Sequence, residues 1–470
     1  MWYYKLVFLI VLLTFGCKQE NLTADYVIKN VNIVDVEKGI IIANKNIAIA
    51  ADTIKRIYDS NLSINDFVKI IDGSGKYIMP GLWDMHTHYQ SSYRYSTDLL
   101  LANGITGVRE MWGKMDTINN IREQSRLGHL LAPDIYSSGQ IINGGKGWLP
   151  FKVVENKDEI LNEIEKQIEE GVDFIKIYNR FTKEAYIALS DICNELNIPF
   201  SGHLPNSMNY WEAIEANQHS IEHQMRFLIN CSSNPAEYEK IRMEEGKEAE
   251  ALNFLVEHFD EKLFDSLTTS LSKSNTWLCP TNIYWENFYN RDNPEFIHNK
   301  MLEYIPKNTQ LFWGTPKEIL EEKKNEFAAG RSKTKFQISL MKDLADAGVK
   351  ILAGTDFPNP YCYPGFSLHD ELQLMVEGGM TPAQSLKTAT LNPAIFLKKE
   401  NELGKVNEGY IASLVLLDAN PLEDIRNTTK INTVFLRGNY LNRSRLDNML
   451  FKAKDYSKVS FNGGAKTTIN

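Results

Sequence analysis

His86-Thr87-His88 is the first stretch of this sequence whose spacing could hold a metal ion. In a strand, residues i and i+2 face the same way, so both imidazoles would enter one cavity. Further along, His203 closes Phe200-Ser201-Gly202-His203, His223 closes Ser220-Ile221-Glu222-His223, and Asp356 closes Ala353-Gly354-Thr355-Asp356. Lys176 lies late in Phe174-Ile175-Lys176-Ile177-Tyr178. Each has a plain reading by itself. An HxH arises by chance, Gly-Thr-Asp is often a turn, and a buried lysine is costly unless paired or neutral. At the ends of successive apolar runs, they make one set of nitrogen and oxygen ligands suited to zinc or a similar divalent ion.

Strands must carry these residues. From about 80 to 398, short apolar runs alternate with longer amphipathic stretches. The predicted strands are 81–88, 104–110, 134–139, 172–178, 198–203, 219–223, 276–280 and 349–356. Helical patterns lie between them, such as 157–170, with Ile160, Ile164 and Ile168 on one face, and 182–196. This alternation predicts an α/β fold, a (β/α)8 TIM barrel over 80–398, with its active site at the carboxyl ends of the strands. The metal-type residues all fall on that rim. Residues 224–275 and 281–348 read as helix-rich insertions over its mouth. Runs rich in β-branched residues at 25–79 and 399–445 predict a small β-sandwich domain built from both chain ends. Residues 446–470 read as a polar C-terminal tail.

The chain has 470 residues, 43% hydrophobic and 24% charged, with a formal net charge of −9. That is a globular composition, which excludes disordered and collagen-like classes. The acidic balance argues against non-specific binding to nucleic acid, and no nucleic-acid partner is expected; the expected partner is a small-molecule substrate. Five cysteines do not make a disulfide scaffold. Residues 6–15 are apolar apart from Thr14, and Gly16-Cys17 and polar Lys18-Gln19-Glu20-Asn21 follow. Such a run is short for a bilayer span and suits an export signal. The Gly16-Cys17 step resembles the cleavage site of bacterial lipoproteins. Segment 1–17 therefore predicts export to the periplasm or cell surface, with membrane contact only through a lipid on Cys17. A homo-oligomer is one possible assembly.

The chain resembles the amidohydrolase superfamily of metal-dependent hydrolases, in its imidazolonepropionase-like and prolidase-like branch. The likeness rests on Met79-Pro80-Gly81-Leu82-Trp83-Asp84-Met85-His86-Thr87-His88, Gly104-Ile105-Thr106-Gly107-Val108-Arg109-Glu110 and Ile175-Lys176-Ile177. It continues through His203, Ser220-Ile221-Glu222-His223, Gly354-Thr355-Asp356, Ala389-Thr390-Leu391-Asn392-Pro393-Ala394 and Leu416-Leu417-Asp418-Ala419-Asn420-Pro421-Leu422, and covers about 25–440. It implies hydrolysis of an amide- or peptide-type carbon–nitrogen bond, in compounds such as dipeptides or N-acyl amino acids. It also implies two divalent metal ions, expected to be Zn2+. His86, His88 and Asp356 would hold the more buried ion, and His203 and His223 the other. A carboxylated Lys176 would bridge them. A hydroxide between the ions would attack the carbonyl, with Asp356 as general base and then acid. Hydrolysis of a phosphotriester or lactone on the same centre is the alternative within enzymes. A non-catalytic surface lipoprotein is the alternative outside them, and the intact ligand set speaks against it.

Three residues are candidate substrate contacts. Tyr178 shares the face of Lys176 one step nearer the mouth. Lys146 stands in Gly144-Gly145-Lys146, where relatives often carry Gly-Gly-His. Arg109 ends the second strand and would pair with a substrate carboxylate or with an internal acid. Asp84 would orient a ligand imidazole or act as a cap. His219 and His369 read as structural, and Tyr284, Trp285 and Trp313 as pocket or core aromatics.

Overall fold

The computed structural model describes residues 23–59, 68–147 and 149–458. The export segment and Cys17 lie outside the described residues. From the N-terminal side come β1 (Tyr26–Asp35), β2 (Ile40–Ala50), β3 (Thr53–Tyr58), β4 (Lys69–Asp72) and β5 (Tyr77–Pro80). The middle of the chain carries β6 (Leu82–Thr87), β7 (Ile105–Glu110), β8 (Asp134–Ser137), β9 (Ile142–Asn143), β10 (Lys152–Val153), β11 (Ile175–Ile177), β12 (Phe200–Gly202), β13 (Ser220–Glu222) and β14 (Trp277–Cys279). Then follow β15 (Leu414–Leu417), β16 (Ile431–Leu436) and β17 (Asn439–Asn442).

The two chain ends meet where β5 runs antiparallel to β15, with Ile78 opposite Leu416. The order is β17-β16-β15-β5-β1-β2-β3, with β4 beside β1. Strand alternation sends Leu414 and Leu416 into a cluster with Ile28, Ile47, Ile78 and Phe435. Val415 and Leu417 turn the other way and join the main core under the helices. Both ends thus share one eight-stranded sheet, and the second layer of the expected sandwich is not a separate sheet among the described residues.

The middle strands form a TIM-barrel-type α/β arrangement. Parallel pairing links β6, β7 and β8, and separately β9, β11, β12, β13 and β14. Parallel bridges join these sets: Ser138 with Phe174, Leu278 with Ile351, and Thr87 with Phe357. The expected strand at 349–356 lies bonded between β14 and β6: the Leu278 N–H donates to the Lys350 carbonyl, the Leu352 N–H to that of Leu278 and the Met85 N–H to that of Ala353. The Asp84 carboxylate takes the Thr355 N–H at 3.0 Å and its hydroxyl at 2.6 Å, and Asp356 adopts φ +61°. These contacts seat the Thr355–Asp356 turn beside β6, where the Asp356 N–H donates to the His86 carbonyl at 2.7 Å.

Helices begin where their capping residues stand. Asn156 accepts from the Glu159 N–H before Lys157–Glu169, and Thr182 from the Ala185 N–H before Lys183–Glu195. Ile160 and Ile164 are buried as their spacing predicts, while Ile168 is exposed. The long insertions fold as helices, including Pro235–Met243, Glu248–Glu257, Asn282–Tyr289 and Lys324–Ser339. The expected tail is, up to residue 458, part of the helix Arg443–Lys458. Leu446 and Met449 join the main core, and Ala453 packs with Tyr95 and Trp313. No described helix is long and apolar enough to cross a membrane.

Candidate metal centre

His86, His88, His203, His223 and Asp356 converge at the carboxyl ends of their strands or segments. Ring centroids lie 5.8 Å apart for His86 and His88, 4.5 Å for His86 and His223, and 4.8 Å for His203 and His223. Asp356 Oδ1 stands 3.4 Å from His86 Nε2 and 3.1 Å from His88 Nε2. Lys176 points its amine into the same buried interior, where the charges of Glu222 and Asp356 act on it. The backbone is shaped to deliver these groups. Gly202 has φ +145°, and a Cβ there would stand 2.2 Å from the Ile177 carbonyl oxygen. Only glycine lets β12 press this closely on β11 just before His203. His223 and Asp356 both sit at φ +61°, an uncommon conformation for residues with side chains.

Glu222, a residue with no role expected from the sequence, fixes the deepest imidazole. Its Oε2 lies 2.7 Å from His86 Nδ1, leaving Nε2 for the centre. Arg109 holds Glu222 in turn. Its Nη2 donates to both carboxylate oxygens at 2.9 and 2.8 Å, Nη1 to Ser220 Oγ at 2.7 Å, and Nε to the Met85 carbonyl. Arg109 is 0% exposed. It is therefore not a substrate contact: its guanidinium turns into the strand layer to meet an internal acid. That acid is Glu222 rather than the adjacent Glu110. Glu110 is also buried, 3.9 Å from His88 Nδ1, and accepts the Gln90 and Trp112 N–H groups. Thr281, likewise unforeseen, places Oγ1 2.7 Å from His223 Nδ1. Asp84 orients backbone rather than an imidazole, because it accepts from the N–H groups of both His86 and Thr355.

The remaining candidates separate cleanly. Tyr178 is half-buried and packs its ring 4.2 Å from that of His203 and 4.4 Å from that of Phe151. Lys146 is exposed, and its carbonyl accepts from Arg180 at 2.7 Å. Tyr284 packs 5.7 Å from the His223 ring, and the Trp285 indole donates to the His223 carbonyl at 3.0 Å. Trp313 is core, donating to the Pro358 carbonyl. His219 stacks on Phe396 at 4.0 Å, and His369 ties Thr428 to the Asn103 carbonyl.

Burial holds His86 and His203 well below the ordinary imidazole value, and the Lys176 charge adds to this. Burial, then the charge of His86, pushes His223 down to about 3. At neutral pH these rings are uncharged, the form that metal ligation requires. Burial also brings the Lys176 amine down to about 8. Four buried atoms of the centre have no hydrogen-bond partner: Lys176 Nζ, His88 Nδ1, His203 Nδ1 and Asp356 Oδ1. Native interiors rarely leave such groups unsatisfied. Cations among them would satisfy several at once, so the residues present fit a metal centre. His86, His88 and Asp356 offer ligand atoms all within 4.8 Å of one another. A second such group, His86, Glu222 and Cys279, is less suited, because Glu222 is committed to Arg109.

Comparison with known proteins agrees with this geometry. Residues 77–441 match the Amidohydrolase family. Ochratoxinase of Aspergillus niger is 22% identical over 416 residues, covering 74% of this chain and 72% of the relative. The solved bottromycin amidohydrolase superposes with a TM-score of 0.76 at 19% identity, covering 94% of this chain and 93% of that one. A Xaa-Pro dipeptidase crystallised with methionine in its active site superposes with a TM-score of 0.63 at 20% identity, covering 89% and 99%. The family match over most of the chain, on a site of this composition, shows that the chain belongs to the amidohydrolase family and is a hydrolase acting on carbon–nitrogen bonds.

Proposed function

We propose that this protein hydrolyses the amide bond of dipeptides or N-acyl amino acids at a centre of two divalent metal ions. The observation that carries the reading is the convergence of four imidazoles and Asp356 around buried polar atoms with no hydrogen-bond partner. His86, His88 and Asp356 would hold one ion, His203 and His223 the other, and Lys176, carboxylated by CO2, would lie between them. When bound, two such ions polarise the scissile carbonyl and acidify a water molecule. The chain does the rest. Glu222 and Thr281 fix the tautomers of His86 and His223 by occupying their Nδ1 atoms. Asp356, beside both His86 and His88, takes the proton of the attacking water on its carboxylate and passes it to the leaving nitrogen. Tyr178 and Tyr284 pack on His203 and His223 and keep bulk water off the reacting carbonyl.

The same reading divides the chain into an export segment at 1–17, a composite β-domain at 25–79 and 399–445, and a catalytic (β/α)8 barrel at 80–398. The β5–β15 pairing supports this division. The apolar run before Gly16-Cys17 supports lipid anchoring at the periplasmic or cell surface. The test is a turnover screen of dipeptides and N-acyl amino acids against phosphotriesters and lactones. Hydrolysis of the first group, lost on chelation, is expected. Turnover of phosphotriesters or lactones alone would overturn the reading.

A further inference from the structure

Beside the centre lies a cavity of about 230 Å³ that the mechanism above does not use. It lies under the helical insertions and shares His223 with the centre. Its lining contains three cations, Arg226, Arg242 and Lys333, and no carboxylate. Its apolar wall includes Tyr238 and Trp285. The nearby acid Glu239 is consumed by the two arginines, at 3.0 Å from Arg226 and 2.6 Å from Arg242. Arg226 retains a buried Nε with no hydrogen-bond partner. Lys333 lies 4.9 Å over the Trp285 ring, and no ion pair to it occurs among the described residues. Burial alone brings its amine down to about 8, and no acid acts to raise it.

A half-buried ammonium over an aromatic ring, with no counter-ion among the described residues, is a ready partner for an anion. The volume is at the small end for ligand pockets, so it suits one end of a substrate rather than a whole one. We infer that this cavity receives an apolar or aromatic carboxylate, the acid-bearing end of the substrate, and that Lys333 is its specificity-determining cation. The Trp285 indole, which borders Lys333 and donates to the His223 carbonyl, ties this subsite to the reacting centre. The inference rests on the amide-hydrolase reading and narrows its substrates to compounds with a free carboxylate.

The test is calorimetric titration of the purified protein with 3-phenylpropionate and with uncharged 3-phenylpropionamide. The acid should bind about tenfold more tightly than the amide. Lys333→Met should remove that preference while leaving amide binding unchanged, and Lys333→Arg should keep it. Equal binding of acid and amide by the wild type, or a preference that survives in Lys333→Met, overturns the inference. Turnover separates it from the parent reading. A protein that prefers the acid yet cleaves no amide refutes the proposed function alone. One that cleaves carboxylate-blocked and free substrates equally well refutes this subsite alone.

Discussion

Arg109→Met is the substitution that most sharply separates a structural arginine from a substrate contact. The change removes donors to Met85, Ser220 and both oxygens of Glu222, and keeps an apolar stem of similar length. It leaves Glu222 with 0% exposure and without the guanidinium that pairs both its oxygens. Breaking a buried pair in this way costs about 3–5 kcal/mol. The effect also reaches the metal centre. Glu222 is the partner of His86 Nδ1, and losing such support lowers metal affinity by about 10–100-fold. The assay is urea denaturation followed by intrinsic fluorescence, with metal content measured on the same samples. The double variant Arg109→Met/Glu222→Leu removes both charges. Its cost should fall short of the sum of the single variants by about 2 kcal/mol or more. Arg109→Met of near-wild-type stability, with a raised KM as its only defect, would refute the reasoning and return Arg109 to the substrate.

Asp356→Asn should lower kcat by about 10²–10⁴-fold while most of the metal stays bound, as checked by turnover and elemental analysis. Lys176→Ala should lose activity that propionate partly restores, because a small carboxylate can occupy the place of the proposed carbamate. With its amine at about 8, Lys176 is mostly protonated at pH 6 and about half neutral at pH 8. Carbamate formation releases a further proton, so at fixed dissolved CO2 its extent in the metal-free protein, read by 13C NMR, should climb with pH throughout, and more steeply below pH 8 than above it. Gly202→Ala should destabilise the fold by about 2 kcal/mol or more, because its Cβ would meet the Ile177 carbonyl at 2.2 Å and the backbone holds φ +145°. Its melting temperature and metal content should fall together as His203 is displaced.

Much of the centre was legible because strand geometry is local. An HxH in a strand puts two rings on one face, and His203 and His223 stand one residue past β12 and β13. The partners that hold those rings were not legible in the same way. Glu222 meets His86 across 136 residues and Arg109 across 113, so only the folded strand layer brings them together. Arg109 looked available to substrate because a strand end is near the rim, but its long side chain reaches back into the layer. The run 349–356 does lie between β14 and β6, but the Asp84 carboxylate that takes the Thr355 N–H comes from 271 residues away and left no local signal. The helix Arg443–Lys458 did leave a signal, since Leu446, Met449, Leu450 and Ala453 recur at helical spacing under a polar composition. The cavity around Lys333 left none, because its walls come from separate helical segments of the insertions.

The protein is proposed to be a two-metal amide hydrolase. Elemental analysis of the native protein, purified without chelators and saturated with divalent metal, tests this proposal most directly. Close to two ions bound per chain is the predicted result, and one ion or fewer would contradict it.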